Sequence, residues 1–294
     1  MGEAAWQLTI DGVTAGSVIA GLAVGLSLVY GTSRVFNFAY GAVFAVAAYG
    51  LYAARQLGGL PIWLGAILAS LAAVAFAVAV EVVLLRPLAR RQAPALVSMV
   101  ATTGVYICAV NALAMGFGNE TLAVQSGVQS TIAVAGARVT VVRALEACLM
   151  WAMLALLAMV LAWSPLGRQL RATADNSVLA EALGADVMAN RLRALVVGAI
   201  FAAVGGSLAA VDVGLQPHMG IDAFLVAVVA MILGGASHLA AVAIGGLALG
   251  ILQSVAGWLM PSTWQPAVTF GVLIAVLALR PRGLGMLRVR VEEA

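Results

Sequence analysis

Apolar residues run along this chain in long uninterrupted stretches, separated by short clusters of Gly, Pro and Arg. Divided at those breaks, the stretches fall at 12–31, 37–54, 62–85, 95–117, 144–163, 192–212, 222–237, 239–259 and 264–280. Most approach the roughly 20 residues that an α-helix needs to cross a bilayer. None alternates polar and apolar residues as the strands of a membrane barrel would. The pattern predicts an all-α, polytopic membrane protein of about eight to ten transmembrane helices, folded as one transmembrane domain over residues 1–294. The 222–237 run is short for a full crossing, and Gly234–Gly235 and Gly245–Gly246 lie at and beyond its end. Those glycines suit either close helix packing or a broken helix that gates a cavity. Gly12/Gly16, Gly21/Gly25 and Gly246/Gly250 repeat the small-residue spacing. The polar stretch 118–143 contains STIAVAGARVTVV, which predicts a short hairpin on the outer membrane face.

Composition closes off the soluble classes. The chain is 64% hydrophobic and 9% charged, against about 45–50% and 25% in soluble domains, and its mean hydropathy is +1.09. All fifteen basic residues are Arg. Eleven of them fall in three groups: Arg86, Arg90 and Arg91; Arg168, Arg171, Arg191 and Arg193; Arg280, Arg282, Arg288 and Arg290. Their placement at segment ends points to membrane topology rather than nucleic-acid binding. Putting all three groups in the cytoplasm makes nine segments fit, with the N-terminus outside and the C-terminus cytoplasmic. Glu3 and Asp11 stand where a cleavable signal peptide would be basic. Cys108 and Cys148 lie in apolar runs and read as small hydrophobes.

Candidate chemistry is sparse. Ionisable groups inside a membrane mark ion pathways by default, yet Glu81, Glu146, Asp212 and Asp222 can all be placed near segment ends. The expectation is that no buried charge harnesses an ion gradient. His218 and His238 form no metal-ligand spacing. The chain has no phosphate-binding Walker A sequence, no nucleophile elbow and no zinc-protease helix, so neither an enzyme nor a bound cofactor or metal is expected. The 164–193 stretch, SPLGRQLRATADNSVLAEALGADVMANRLR, is long for a helix connection. Val178, Leu179, Ala182 and Leu183 can form an apolar face, with Asp175, Asn176 and Glu181 toward water or a partner and Gly184 ending the helix. The spacing alone fits a solvated connector and a docking site equally. Tyr30, Asn37 and Tyr40 offer hydrogen-bonding groups within apolar helices, as pore lining or as interhelical bonds.

Three segments carry a resemblance. RATADNSVLAEALGADVMANRLRALVVGAIFAAVGGSLAA resembles the cytoplasmic loop and following helix of the branched-chain amino acid ABC transporter permeases, the LivH/LivM type. VYGTSRVFNFAYGAVFAVAAYG is similar to that family's Asn-Phe-Ala-His-Gly segment, with Asn37, Phe38, Ala39 and Gly41 in place. PHMGIDAFLVAVVAMILGGASHLAAVAIGGLALGILQS resembles its Gly-Gly-rich segment. The three span nearly the whole chain in order, and the length favours the LivH branch.

The resemblance implies a permease of a bacterial inner-membrane importer with the fold of the ribose and vitamin B12 permeases. It implies a second, LivM-like permease, two ATP-binding subunits, a periplasmic substrate-binding protein and a lipid bilayer as partners. It places Tyr30, Asn37, Phe38, Tyr40 and Gly41 on the translocation pathway. Ala180, Glu181, Ala182 and Gly184 become the coupling helix, flanked by Arg168, Arg171 and Asp175. Tyr40 replaces the usual His, and Ser237, His238 and Ala240 depart from a Gly-Ser-x-Pro pattern. The solute is therefore expected among branched-chain amino acids or related amides, urea and carboxylates. The alternative classes are a stand-alone secondary carrier or channel, and a membrane scaffold.

Overall fold

The computed structural model describes residues 2–124, 131–134, 137–235, 238–261 and 264–279; the tail arginines and Ser237 lie outside them. All nine apolar runs form helices. These are α1 (Gly2–Ser33), α2 (Ala39–Gln56), α3 (Ile62–Val80), α5 (Ala95–Phe117), α6 (Val141–Trp163), α9 (Val187–Asp212), α10 (Met219–Gly234), α11 (Leu239–Leu259) and α12 (Gln265–Leu279). Six are long and apolar enough to cross a membrane, α3 being counted with its extension to Arg90. The protein is an all-α, polytopic membrane protein. Its α2, α10 and α12 are the shorter helices.

Between α3 and α5 the helix does not stop where the apolar run ends. It continues through a π turn (Glu81–Leu85) into α4 (Arg86–Arg90). Pro87 explains the turn: proline lacks the N–H that an α-helix needs, and one extra residue per turn absorbs the defect. The Arg86 N–H accordingly bonds the Glu81 carbonyl five residues back. The polar stretch before α6 contains the expected hairpin, β1 (Thr131–Val134) paired antiparallel with β2 (Ala137–Thr140), Thr131 opposite Thr140. At the same end Leu122 and Leu215 exchange two backbone hydrogen bonds of 2.8–2.9 Å. The Arg143–Asp212 ion pair at 3.0 Å joins α6 to α9 there.

The bundle is centred on α1. Along its length α1 packs antiparallel on α11, small residue against small residue. A Cβ on Gly12 would stand 2.7 Å from the Ile251 Cα, one on Gly16 3.0 Å from the Leu247 Cα, and one on Gly250 would collide with the Gly16 backbone. Without a solvent-driven hydrophobic effect between helices, such close backbone contact supplies the packing energy. On the other sides α1 meets α6 and α9, where Gly25 lies under the Phe201 side chain.

Gly234 and Gly245 close a second contact, each pressed on backbone of the neighbouring helix. Gly235 ends α10 with φ +83°, and Gly246 faces the Ala20 backbone. Gly234, Gly245 and Gly246 thus sit in helix contacts.

Helix α10 begins in an unexpected place. Gly220, its second residue, abuts Gly41, the third residue of α2. Roughly fifteen residues of α2, about 22 Å of helix, extend beyond that contact to Gln56. The 213–218 loop therefore carries the start of α10 deep between its neighbours. Leu215, fully buried beside Tyr49, anchors that inward path.

Candidate functional site

At the end where α4 and the 164–193 stretch lie, the chain turns from α1 into α2 through residues 34–38. Asn37 holds that turn: its side-chain oxygen accepts the Ala39 N–H at 3.0 Å. Phe38 stacks on Phe224 of α10 at 4.8 Å, and its N–H donates to the Thr102 hydroxyl of α5 at 3.3 Å. Tyr40 is buried and donates its hydroxyl to the Leu22 carbonyl at 2.9 Å. Gly41 is the close contact with Gly220. Tyr30 stands slightly apart, stacked on Phe36 at 4.6 Å. Four of the five pathway candidates are thus gathered at the first turn of α2. Tyr40 and Asn37 spend hydrogen-bonding capacity on the fold itself.

Asn37 also lines two narrow adjoining clefts. One, with Val29, Tyr40, Val43, Val80 and Leu195, is apolar apart from Asn37 and Tyr40. The other brings the polar side chains of Ser33, Asn37, Glu81, Ser98 and Arg191 together among Val29, Val35, Leu85 and Leu195. Glu81 is only 6% exposed and faces Arg191 of α9 and Arg86. Glu146, near the hairpin end, is 7% exposed as well; both carboxylates lie near segment ends, where the sequence put them, but are covered by protein. Asp222, expected near a segment end, is exposed in the first turn of α10. Length and hydropathy could not reveal these placements, because they depend on the π turn and on the inward loop. One signal was present: Ser98, Thr102 and Tyr106 recur every fourth residue in α5.

The 164–193 stretch folds as two short helices, α7 (Pro165–Asp175) and α8 (Ser177–Ala182). Each starts on a side-chain cap: Ser164 accepts the Gly167 N–H at 3.0 Å and Asn176 the Leu179 N–H at 3.0 Å. Gly184, at φ +87°, terminates α8 as its residue type predicts. The loop is fastened to the bundle by polar bonds. Asn190 of α9 donates to the buried Thr173 hydroxyl at 2.9 Å. Arg193 donates to Gln169 and to Asn190, both at 3.0 Å, and Arg34 donates to the Ala174 carbonyl at 2.6 Å. Asn190→Ala removes one hydrogen bond from Thr173 and one from Arg193. Its expected cost is about 1–3 kcal/mol, seen as a lower unfolding temperature in detergent, whereas replacing the exposed Arg171 is expected to leave that temperature unchanged.

Of α8, only Ala180 turns inward. Val178, Leu179 and Leu183 are 76%, 57% and 80% exposed, and Arg168, Arg171, Asp175, Glu181, Ala182 and Gly184 are exposed around them. A rigidly mounted apolar knob ringed by charges is the form of a partner-binding surface. Among the described residues no group of three or more His, Cys, Asp or Glu is placed to hold a metal ion.

A many-helix membrane bundle with a narrow internal polar cleft, and a braced helical loop at one end of it, is the build of a solute permease. The chain belongs to the family described as the permease component of the branched-chain amino acid transport system, which matches residues 8–277. It is 30% identical to the LivH high-affinity branched-chain amino acid transport permease of Escherichia coli strain K12, over 95% of this chain and 94% of that protein. Identity to the BraD permease of Pseudomonas aeruginosa is 29% over the same shares. A probable LivH permease of Methanocaldococcus jannaschii is 27% identical over 90% of this chain and 87% of its own length.

Proposed function

We propose that this chain is the transmembrane permease subunit of an ATP-driven importer for branched-chain amino acids or related small polar solutes. Its partners are two ATP-binding subunits, a second permease of the LivM kind and a substrate-binding protein outside; the chain itself carries no catalysis. It sits in a bacterial inner membrane. The α7–α8 end faces the cytoplasm with Arg86, Arg90 and Arg91, in keeping with the bias of arginine toward that side, and the N-terminus lies outside. The observation that carries the reading is α8: its apolar side chains are exposed on a loop that Asn190, Arg193 and Arg34 tie to α1 and α9. A seated ATP-binding subunit that moves α8 therefore moves α9, which walls both clefts, and α1 with it.

In this mechanism the solute arrives from the binding protein and needs a transient polar path with few tight contacts. Asn37, Phe38 and Gly41, with Tyr30 and Tyr40 beside them, line the inner part of that path. Nucleotide binding draws the two α8 helices of the permease pair together, and the bundles rock between outward- and inward-open states. Gly234, Gly235, Gly245 and Gly246 let α10 and α11 slide at close quarters. The test is co-expression with the candidate ATP-binding subunits and second permease. The expected result is a stable complex whose ATP hydrolysis rises when loaded binding protein is added. A chain that forms no such complex, with uptake collapsed by an ionophore, overturns the proposal.

A further inference from the structure

Glu81 is a buried carboxylate that the fold leaves without a fixed partner. It is 6% exposed, and among the described residues its carboxylate forms neither an ion pair nor a hydrogen bond. A charge held in that way is costly unless a partner reaches it. The cleft that Glu81 lines is shared with Arg191 of α9, Ser33 at the end of α1 and Ser98 of α5. Arg191 donates to the Ser33 carbonyl at 3.3 Å, longer than the usual range of about 2.7–3.2 Å. A carboxylate can take a guanidinium through two parallel bonds and binds it more strongly than one neutral carbonyl does. Arg191 therefore has two acceptors in one cleft: a weak one on α1, which it uses here, and a stronger one on α3.

Both ends of this pair are attached to parts that can move it. On the α9 side, Asn190 and Arg193 flank Arg191 and bond Thr173 and Gln169 of α7. A displacement of α7–α8 is thus felt at Arg191 within one helical turn. On the α3 side, Glu81 opens the π turn that runs to Leu85, and helices bend where such a turn breaks their regularity. Beyond that joint lie Arg86, whose Nε is buried without a hydrogen-bond partner, and the rest of α4. A pull on Glu81 swings α4 at the joint and need not drag the whole of α3.

We propose that Glu81 and Arg191 are positioning residues for transport, a two-position contact that carries movement from the α7–α8 loop to α4. In this conformation Arg191 holds the end of α1 through Ser33. When an ATP-binding subunit displaces α8, Arg191 leaves Ser33 and takes the Glu81 carboxylate, the cleft narrows, and α4 swings toward α9. The assignment deepens the permease reading and rests on it.

The test uses the full complex in proteoliposomes, with Cys108 and Cys148 replaced by Ala. Leu85→Cys and Leu195→Cys put two thiols in the wall of the cleft, one on the π turn and one on α9. Copper phenanthroline oxidises them to a disulfide when they meet. Cross-linking is expected to be about ten-fold faster in the vanadate-trapped, nucleotide-bound complex than in the nucleotide-free one. Equal or slower cross-linking with nucleotide overturns the switch, and this result needs no change at Glu81 or Arg191. Glu81→Gln keeps the shape and removes the charge; it is expected to abolish the nucleotide-dependent gain and to lower the solute carried per ATP about ten-fold. A gain that persists in Glu81→Gln shows that closure does not use the pair. The losses in Glu81→Gln and Arg191→Gln are expected not to multiply in the double variant, because both remove one contact; losses that multiply contradict the pairing. If the unsubstituted complex shows no ATP-driven uptake, it is the permease reading that fails; uptake without nucleotide-dependent cross-linking removes the switch alone.

Discussion

Replacing Leu179 and Leu183 together by Asp is expected to abolish ATP-driven uptake while leaving the protein folded in the membrane. Both side chains are exposed, so the isolated bundle loses no packing when they become charged. In the proposed docked complex they are the apolar anchors of the contact, and burying two carboxylates there without partners is strongly unfavourable. A loss of about 3 kcal/mol in docking corresponds to more than about 100-fold in affinity. The measurement is uptake of labelled solute beside the unfolding temperature of the purified chain. Uptake should fall by that order with the unfolding temperature unmoved. The neighbouring Ala180, buried on the opposite side of α8, should behave inversely, Ala180→Asp lowering the unfolding temperature first.

The second large effect is expected in the seam between α1 and α11. Gly250→Leu places a branched side chain where only the Gly16 backbone fits. Over-packing of a core costs about 1–3 kcal/mol when side chains can yield, and more where the wall is backbone, as here. The expected outcome is loss of the folded, monodisperse species in detergent. Gly116→Leu, where an added Cβ meets nothing within 4 Å, should leave it intact. Equal tolerance at the two positions would show that the glycines of this seam do not set the helix distance.

These two predictions draw on features of very different legibility. The α8 surface was readable because capping, apolar spacing and a terminal glycine are local: Asn176, Leu179 and Gly184 act within one turn of each other. The α1–α11 seam was half readable, since Gly12, Gly16, Gly246 and Gly250 announce close packing but not their partners. The interior polar groups were hardly readable. Glu81 looks like a helix-end residue until Pro87 is seen to force a π turn and extend the helix past it. The inward start of α10 likewise has no signal in hydropathy until Leu215 is found buried. Tyr40 has the composition of a pore residue, but its hydroxyl is bonded to the Leu22 carbonyl.

Those buried carboxylates also change the argument about driving force. An interior without acidic groups would have left partner-driven transport as the remaining option. With Glu81 and Glu146 buried, the case rests instead on the braced α8 surface and on membership in a family of transport-system permease components. The most direct measurement is solute accumulation in proteoliposomes that hold this chain with its partner permease and binding protein, with and without the ATP-binding subunits. The account predicts uphill accumulation only when those subunits and ATP are present, unaffected by collapsing the proton and sodium gradients. Accumulation driven by either gradient in their absence would contradict it.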